Sequence, residues 1–140
     1  MPKSTRKDIQ DHVRRYRQEY ARLKARIRGL GFICEGSLVE RWMPCGKSAC
    51  RCAADPAQWH GPYYQLSWKE KGKTVSRHLS PEHAKLYKEW ITNRRRLESI
   101  LKHMRAVSSK AGRHLLDAAT ESSRAKTQAR APRSRHRRKR

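Results

Sequence analysis

The chain has 140 residues, with 35 Lys and Arg against 12 Asp and Glu, for a formal charge of +23. Leu, Ile, Val and Phe account for only 20 residues, a share that by itself points to disorder, but ten aromatics, with Trp42, Trp59, Trp68 and Trp90 in the middle of the chain, argue for a small folded centre. No apolar run approaches the roughly 18 residues of a membrane helix, the N-terminus lacks a secretory signal, and the apolar residues are too few for a large core around a deep cavity. The expectation is a cytoplasmic, polyanion-seeking protein with no membrane segment. Its charge is uneven: +7 over residues 1–30, +3 over 31–80, +5 over 81–120 and +8 over 121–140.

Residues 1–30 form the first segment, a basic helix. Ile9, Val13, Tyr16, Tyr20, Leu23, Ile27 and Leu30 recur at alternating spacings of 4 and 3, a heptad seam, while Arg14, Arg15, Arg17, Arg22 and Arg28 lie on other faces. Gly29 and Gly31 supply the stop. Residues 31–80 read as a three-stranded antiparallel meander. Residues 32–43 are β-like, with a bend or bulge at Gly36-Ser37, and a Cys-, Ala-, Gly- and Pro-rich loop runs from Pro44 to Pro62. Tyr64, Leu66 and Trp68 then alternate onto one face, expected to pack on Trp42 and Trp90. Glu70-Lys71-Gly72 reads as a hairpin turn before Lys73–Leu79.

Ser80-Pro81-Glu82 is a helix start, and residues 81–116 carry a second seam of Leu86, Trp90, Asn93, Leu97, Ile100, Met104 and Val107. Asn93 stands where a buried amide fixes register in coiled coils. The two seams predict helix pairing, within the chain or across a homodimer. Residues 117–140 lack apolar periodicity and read as a disordered Arg-rich tail. The fold class is therefore α+β: long helix, three-stranded meander with a cysteine-rich loop, long helix, disordered basic tail.

Cys45, Cys50 and Cys52 fall in C-G-K-S-A-C-R-C, with Cys34 upstream and His60 downstream. A disulfide framework is unexpected without a secretory context, and three clustered thiols suit a structural zinc better than a lone nucleophile. The candidate ligands are Cys45, Cys50, Cys52 and His60, with Cys34 as the alternate fourth. Ordinary buried thiols and redox chemistry are the competing readings, and His60 could equally be a turn residue capping the hairpin. Lys47 and Arg51 would offset the thiolate charge.

The order G-S-L-V-E-R (Gly36–Arg41), C-G-K-x-x-C-R-C (Cys45–Cys52), H-G-P-Y-Y (His60–Tyr64), G-K-x-x-x-R (Gly72–Arg77) and W-I-x-N-R-R-x-L (Trp90–Leu97) resembles a family of small uncharacterised bacterial proteins, a domain of unknown function. The resemblance covers roughly residues 31–105 and implies a prokaryotic cytoplasmic protein. It implies no activity.

Charge therefore carries the functional expectation: a non-enzymatic nucleic-acid-binding protein, with DNA slightly favoured over RNA and zinc ordering the loop. Lys and Arg neutralise phosphates whatever the base sequence, and the planar guanidinium matches phosphate bidentately. The candidate contacts are Arg14, Arg15, Arg94, Arg95, Arg96, Arg133, Arg135, Arg137 and Arg138, with Trp59 as a base-stacking residue. No phosphate-cradling glycine loop, H-E-x-x-H or Ser/His/Asp arrangement is present. The alternatives are a coiled-coil oligomerisation or adaptor protein, and an accessory component of a mobile-element DNA-processing system.

Overall fold

The structure, a computed structural model, describes residues 5–130. Its elements in chain order are α1 (Arg6–Arg28), β1 (Ser37–Met43), β2 (His60–Glu70), β3 (Lys73–Leu79) and α2 (Pro81–Arg130), with two short 3-10 turns in the loop between β1 and β2. The chain divides into two compact units. One combines α1 with α2 from Leu101 onward, and the other spans Gly29–Ile100.

In the first unit, α1 begins with a reciprocal cap. Thr5 N–H donates to Asp8 Oδ2 at 2.9 Å and Asp8 N–H donates to Thr5 Oγ1 at 3.3 Å, which satisfies two donors that the first helical turn leaves free. The Thr5 hydroxyl also donates to Asp8 Oδ2 at 2.5 Å, and this bond, with that from the Thr5 N–H, holds the Asp8 carboxyl below the usual carboxylate range. Ile9, Val13 and Leu23 of the α1 seam are buried, as is Val107 of α2. His12 stacks on His114 with ring centroids 4.9 Å apart and Tyr16 lies 5.8 Å from the same ring, an aromatic contact between α1 and α2 beside the apolar seam.

The second unit is an antiparallel sheet in the order β1-β2-β3 with the first part of α2. Leu38 pairs with Leu66, Tyr64 with Leu79 and Trp68 with Val75, so these six side chains share one face. Leu66 is the buried centre of that face, and Ala84, Ile91 and Ile100 of α2 are buried in the same unit. Between β2 and β3 the chain turns in two residues, Lys71 at φ 47° and Gly72 at φ 78°. Two positive φ angles match the right-handed twist of the flanking strands, and Gly72 adopts its angle without steric cost. The hairpin is therefore where the sequence puts it. At the start of α2, Ser80 Oγ accepts from His83 N–H at 3.3 Å with Pro81 in the first helical position, as the Ser-Pro-Glu signal predicts.

Four expectations change. Residues 32–36 are not part of β1; α2 side chains hold them instead. Asn93 Nδ2 donates to the Phe32 carbonyl at 2.9 Å, and Arg94 donates to the Cys34 carbonyl at 3.1 Å and the Gly36 carbonyl at 3.4 Å. The buried Asn93 amide thus anchors a loop and not a coiled-coil register. With Leu86 exposed at the head of the α2 seam, the packing does not support a coiled coil. Trp42 does not back the sheet: it sits at the strand irregularity between Arg41 and Met43 and is 49% exposed. Trp90 packs edge-on with Phe32 and Tyr87.

The fourth change is length. α2 runs on to Arg130, past the end expected at Leu116. Beyond Leu116 no apolar stripe remains, but Ala118, Ala119, Ala125, Ala129, Arg124, Lys126 and Gln128 are strong helix formers and no proline intervenes. Gly112 sits inside the helix as a tolerated weak point. The tail arginines Arg133, Arg135, Arg137 and Arg138 lie outside the described residues.

Candidate metal centre

The β1–β2 loop brings three cysteines and a histidine together through a series of tight turns. Gly46, directly after Cys45, takes φ 80°, which lets the chain double back. Cys50 N–H then donates to the Lys47 carbonyl at 3.1 Å. Cys50 is the residue preceding a 3-10 turn over Arg51–Ala53, and its carbonyl accepts from Ala53 N–H at 3.0 Å. A second 3-10 turn, Pro56–Gln58, is capped by Asp55, whose carboxylate accepts from Ala57 N–H at 2.9 Å. The chain leaves this turn through Trp59 into His60, the first residue of β2, paired with Met43.

Cys45 Sγ, Cys50 Sγ, Cys52 Sγ and a ring nitrogen of His60 all lie within 4.8 Å of one another. Cys52 and Cys45 sulfurs are 3.5 Å apart, and Cys50 Sγ is 3.2 Å from His60 Nε2. Thiolates and imidazoles around a tetrahedral zinc lie about 3.5–3.8 Å from one another, close to the spacings in this cluster, so small shifts of the donors accommodate such an ion. The Cys45 N–H also donates to Cys52 Sγ at 3.3 Å, a bond that favours the sulfur as thiolate. Cys52 is buried and Cys50 half-buried, whereas Cys45 and His60 are exposed, which leaves one side of the cluster open to solvent. The four residues can hold a metal ion.

The cluster separates its own thiols electrostatically. The Cys50 thiol is lowered to about 6, first by the backbone N–H of Cys52, then by His60 and the neighbouring sulfurs. For Cys52 the hydrogen bond from the Cys45 backbone lowers the value most, but burial and the Cys50 and Cys45 sulfurs together outweigh it and push the thiol up. One thiol of the set is therefore poised as a ready anion near neutral pH, the form in which sulfur binds metal.

Cys34 is not part of the centre. Its sulfur donates to the Glu35 carbonyl at 3.1 Å, in the segment anchored by Asn93 and Arg94, and it does not join the four donors. The choice between Cys34 and His60 as fourth donor falls to His60. All four cysteines are free thiols.

The proposed phosphate contacts fare unevenly. Arg14, Arg15, Arg95 and Arg96 are exposed, with Arg15 donating to His12 Nδ1 at 2.7 Å. Arg94 is different: its side chain is 17% exposed, bonded to two loop carbonyls and paired with Glu98 at 2.6 Å and Glu35 at 3.8 Å. It serves the fold of the second unit. Trp59 is 40% exposed, beside His60 in the chain. The anchoring roles of Asn93 and Arg94 have no local signature in the sequence, since their partners lie about 60 positions away.

A family model for a domain of unknown function, DUF6788, matches residues 6–89. The chain belongs to this family. The DUF6788 match takes in α1, the whole sheet and all four candidate metal donors, and it ends before Trp90. It thus begins earlier and stops sooner than the stretch of about 31–105 over which the motifs suggest a resemblance. No curated protein and no solved structure matches the chain. Among the described residues no helix is long and apolar enough to cross a membrane.

Proposed function

We propose that the protein binds nucleic acid through phosphate contacts and that a zinc ion staples its β1–β2 loop. One observation carries the first part. Among the described residues the ion pairs involve a single cation, Arg94, while every other described Lys and Arg lacks a carboxylate partner. A solvated, stabilising charge pattern normally intersperses both signs so that pairs form along a helix. Here the cations of α1, including Arg14, Arg15 and Arg17, and those of α2, including Arg95 and Arg96, are exposed and uncompensated. Such surfaces gain affinity from polyanions by releasing condensed counterions, whatever the sequence of the nucleic acid.

In this reading Cys45, Cys50 and Cys52 hold zinc as thiolates and His60 through its imidazole, with Gly46 permitting the turn. Zinc supplies no chemistry to a substrate here; a closed four-donor site contributes folding energy. The two parts have separate tests. Metal analysis of purified protein is expected to give close to one zinc per chain, and a metal-free protein as purified overturns the staple. Fluorescence anisotropy with labelled duplex DNA and RNA is expected to show binding at about 50 mM salt that weakens by orders of magnitude towards about 200 mM. Absence of binding at low salt, or binding indifferent to salt, overturns the phosphate reading.

A further inference from the structure

The second unit contains a groove apart from the metal centre, open above the buried Ala84 and Ile91. It lies between the sheet and α2, has a volume of about 560 Å³, and is bordered by Leu38, Glu40 and Tyr64 on the sheet side. Lys85, Lys88 and Arg95 border it on the α2 side. Its position follows from the register. Glu40 pairs directly with Tyr64, so both project from the same face of the sheet as the buried Leu66, next to the free edge of β1. On α2, residues 85, 88 and 95 fall along one side of the helix, with an axial rise of about 1.5 Å per residue separating the first cation from the last by roughly 15 Å.

We propose that this groove binds an unpaired nucleic-acid strand. The three cations are exposed and without carboxylate partners among the described residues, so they supply a positive rail along one wall. The half-buried ring of Tyr64, with Leu38, gives the opposite wall an apolar surface against which a base can stack. A charged rail beside an aromatic surface is the arrangement by which proteins hold single strands without reading their sequence. Glu40 is the acid of the groove. It offers a carboxylate acceptor to the exocyclic amino group of cytosine, adenine or guanine, a group thymine lacks, so a thymidine probe reads the cationic rail and the stacking wall alone. A duplex does not fit the proposal, because its bases are stacked inside and cannot reach Tyr64.

This inference rests on the phosphate-binding reading above, and the experiment separates the two. Full-length protein is titrated into a labelled oligothymidine of about 12 nucleotides and into a labelled duplex at low salt. The K85E/K88E variant is compared with K102E/K110E, an equal charge reversal at exposed positions of α2 outside the groove. Circular dichroism confirms that both variants are folded. K85E/K88E is expected to weaken oligothymidine binding at least about tenfold more than K102E/K110E does, with duplex affinity equal in the two variants. Binding of neither probe by the unaltered protein overturns the phosphate reading and the groove with it. Binding of both probes, with the two variants equally affected on oligothymidine, overturns the groove alone. Displacement of the oligothymidine by a polyglutamate peptide at lower concentration than by unlabelled oligothymidine also overturns it, and assigns the groove to acidic peptides. Tyr64→Phe retains the ring and is expected to retain binding, whereas a loss there overturns the stacking wall.

Discussion

The donors of the candidate metal centre make different demands on chemistry. Cys34→Ser is expected to leave the metal content of the protein unchanged, because its sulfur is engaged with the Glu35 carbonyl and not with the cluster. Cys52→Ser, at the buried corner, is expected to lower metal content to near zero by elemental analysis. Cys50 adds a pH signature. Its thiol, lowered from 9.0 to about 6, favours the folded loop fully above about pH 9. That contribution declines as the pH falls and is gone below about 6. In metal-free protein, ultraviolet thiolate absorbance is expected to fall through a step near pH 6 that Cys50→Ser removes. Asn93 shows the same dependence on a single side chain. Asn93→Ala leaves the Phe32 carbonyl without its donor and is expected to cost about 1–3 kcal/mol in chemical denaturation.

The elements were legible in the sequence wherever periodicity or turn chemistry is local. The α1 seam, the alternation of Tyr64, Leu66 and Trp68, the Lys71-Gly72 turn and the Ser80-Pro81 start all depend on neighbours within a few residues. The four metal donors were legible for the same reason, all lying within residues 45–60. What the sequence hid is long-range or propensity-driven. Arg94 reads as one of three consecutive surface arginines, yet it is directed at loop carbonyls about 60 positions away, which no local pattern encodes. The end of α2 was hidden because apolar period and helix propensity diverge after Leu116, and propensity wins. If propensity holds this stretch, its weakest position is Gly112. A Cβ there would meet nothing within 4 Å, and the residue lies inside the helix. Gly112→Ala is accordingly expected to raise stability by about 1 kcal/mol, read as a higher denaturation midpoint at unchanged slope.

At the scale of the whole molecule, the two units draw on separate resources. The unit of α1 and the end of α2 is held by Ile9, Val13, Leu23, Val107 and stacked rings, with no metal donor in it. The Gly29–Ile100 unit contains the cluster, but Leu66, Ala84, Ile91 and Ile100 give it a core apart from the loop. Removing metal with a chelator is therefore expected to open the loop and spare the helices. Limited proteolysis should find new cleavage sites confined to residues 44–59, at the exposed Lys47 and Arg51, while the far-ultraviolet helical signal stays within about a tenth of its starting value. Loss of that signal on chelation would mean that the metal supports the entire fold.

The compactness of the cluster along the chain also bears on the time at which it forms. All four donors have been synthesised once His60 has been added, before any residue of β3 or α2 exists. Closing so short a loop costs little chain entropy, and each further residue would add to that cost only slowly. A metal ion can therefore fix the β1–β2 connection on a nascent chain, so that β2 emerges already tethered beside β1 and the hairpin to β3 adds to an existing edge. The cysteines would then act as a primer for assembly during translation, and metal starvation would be felt first by newly made chains, in which β3 and α2 are not yet present to hold the sheet.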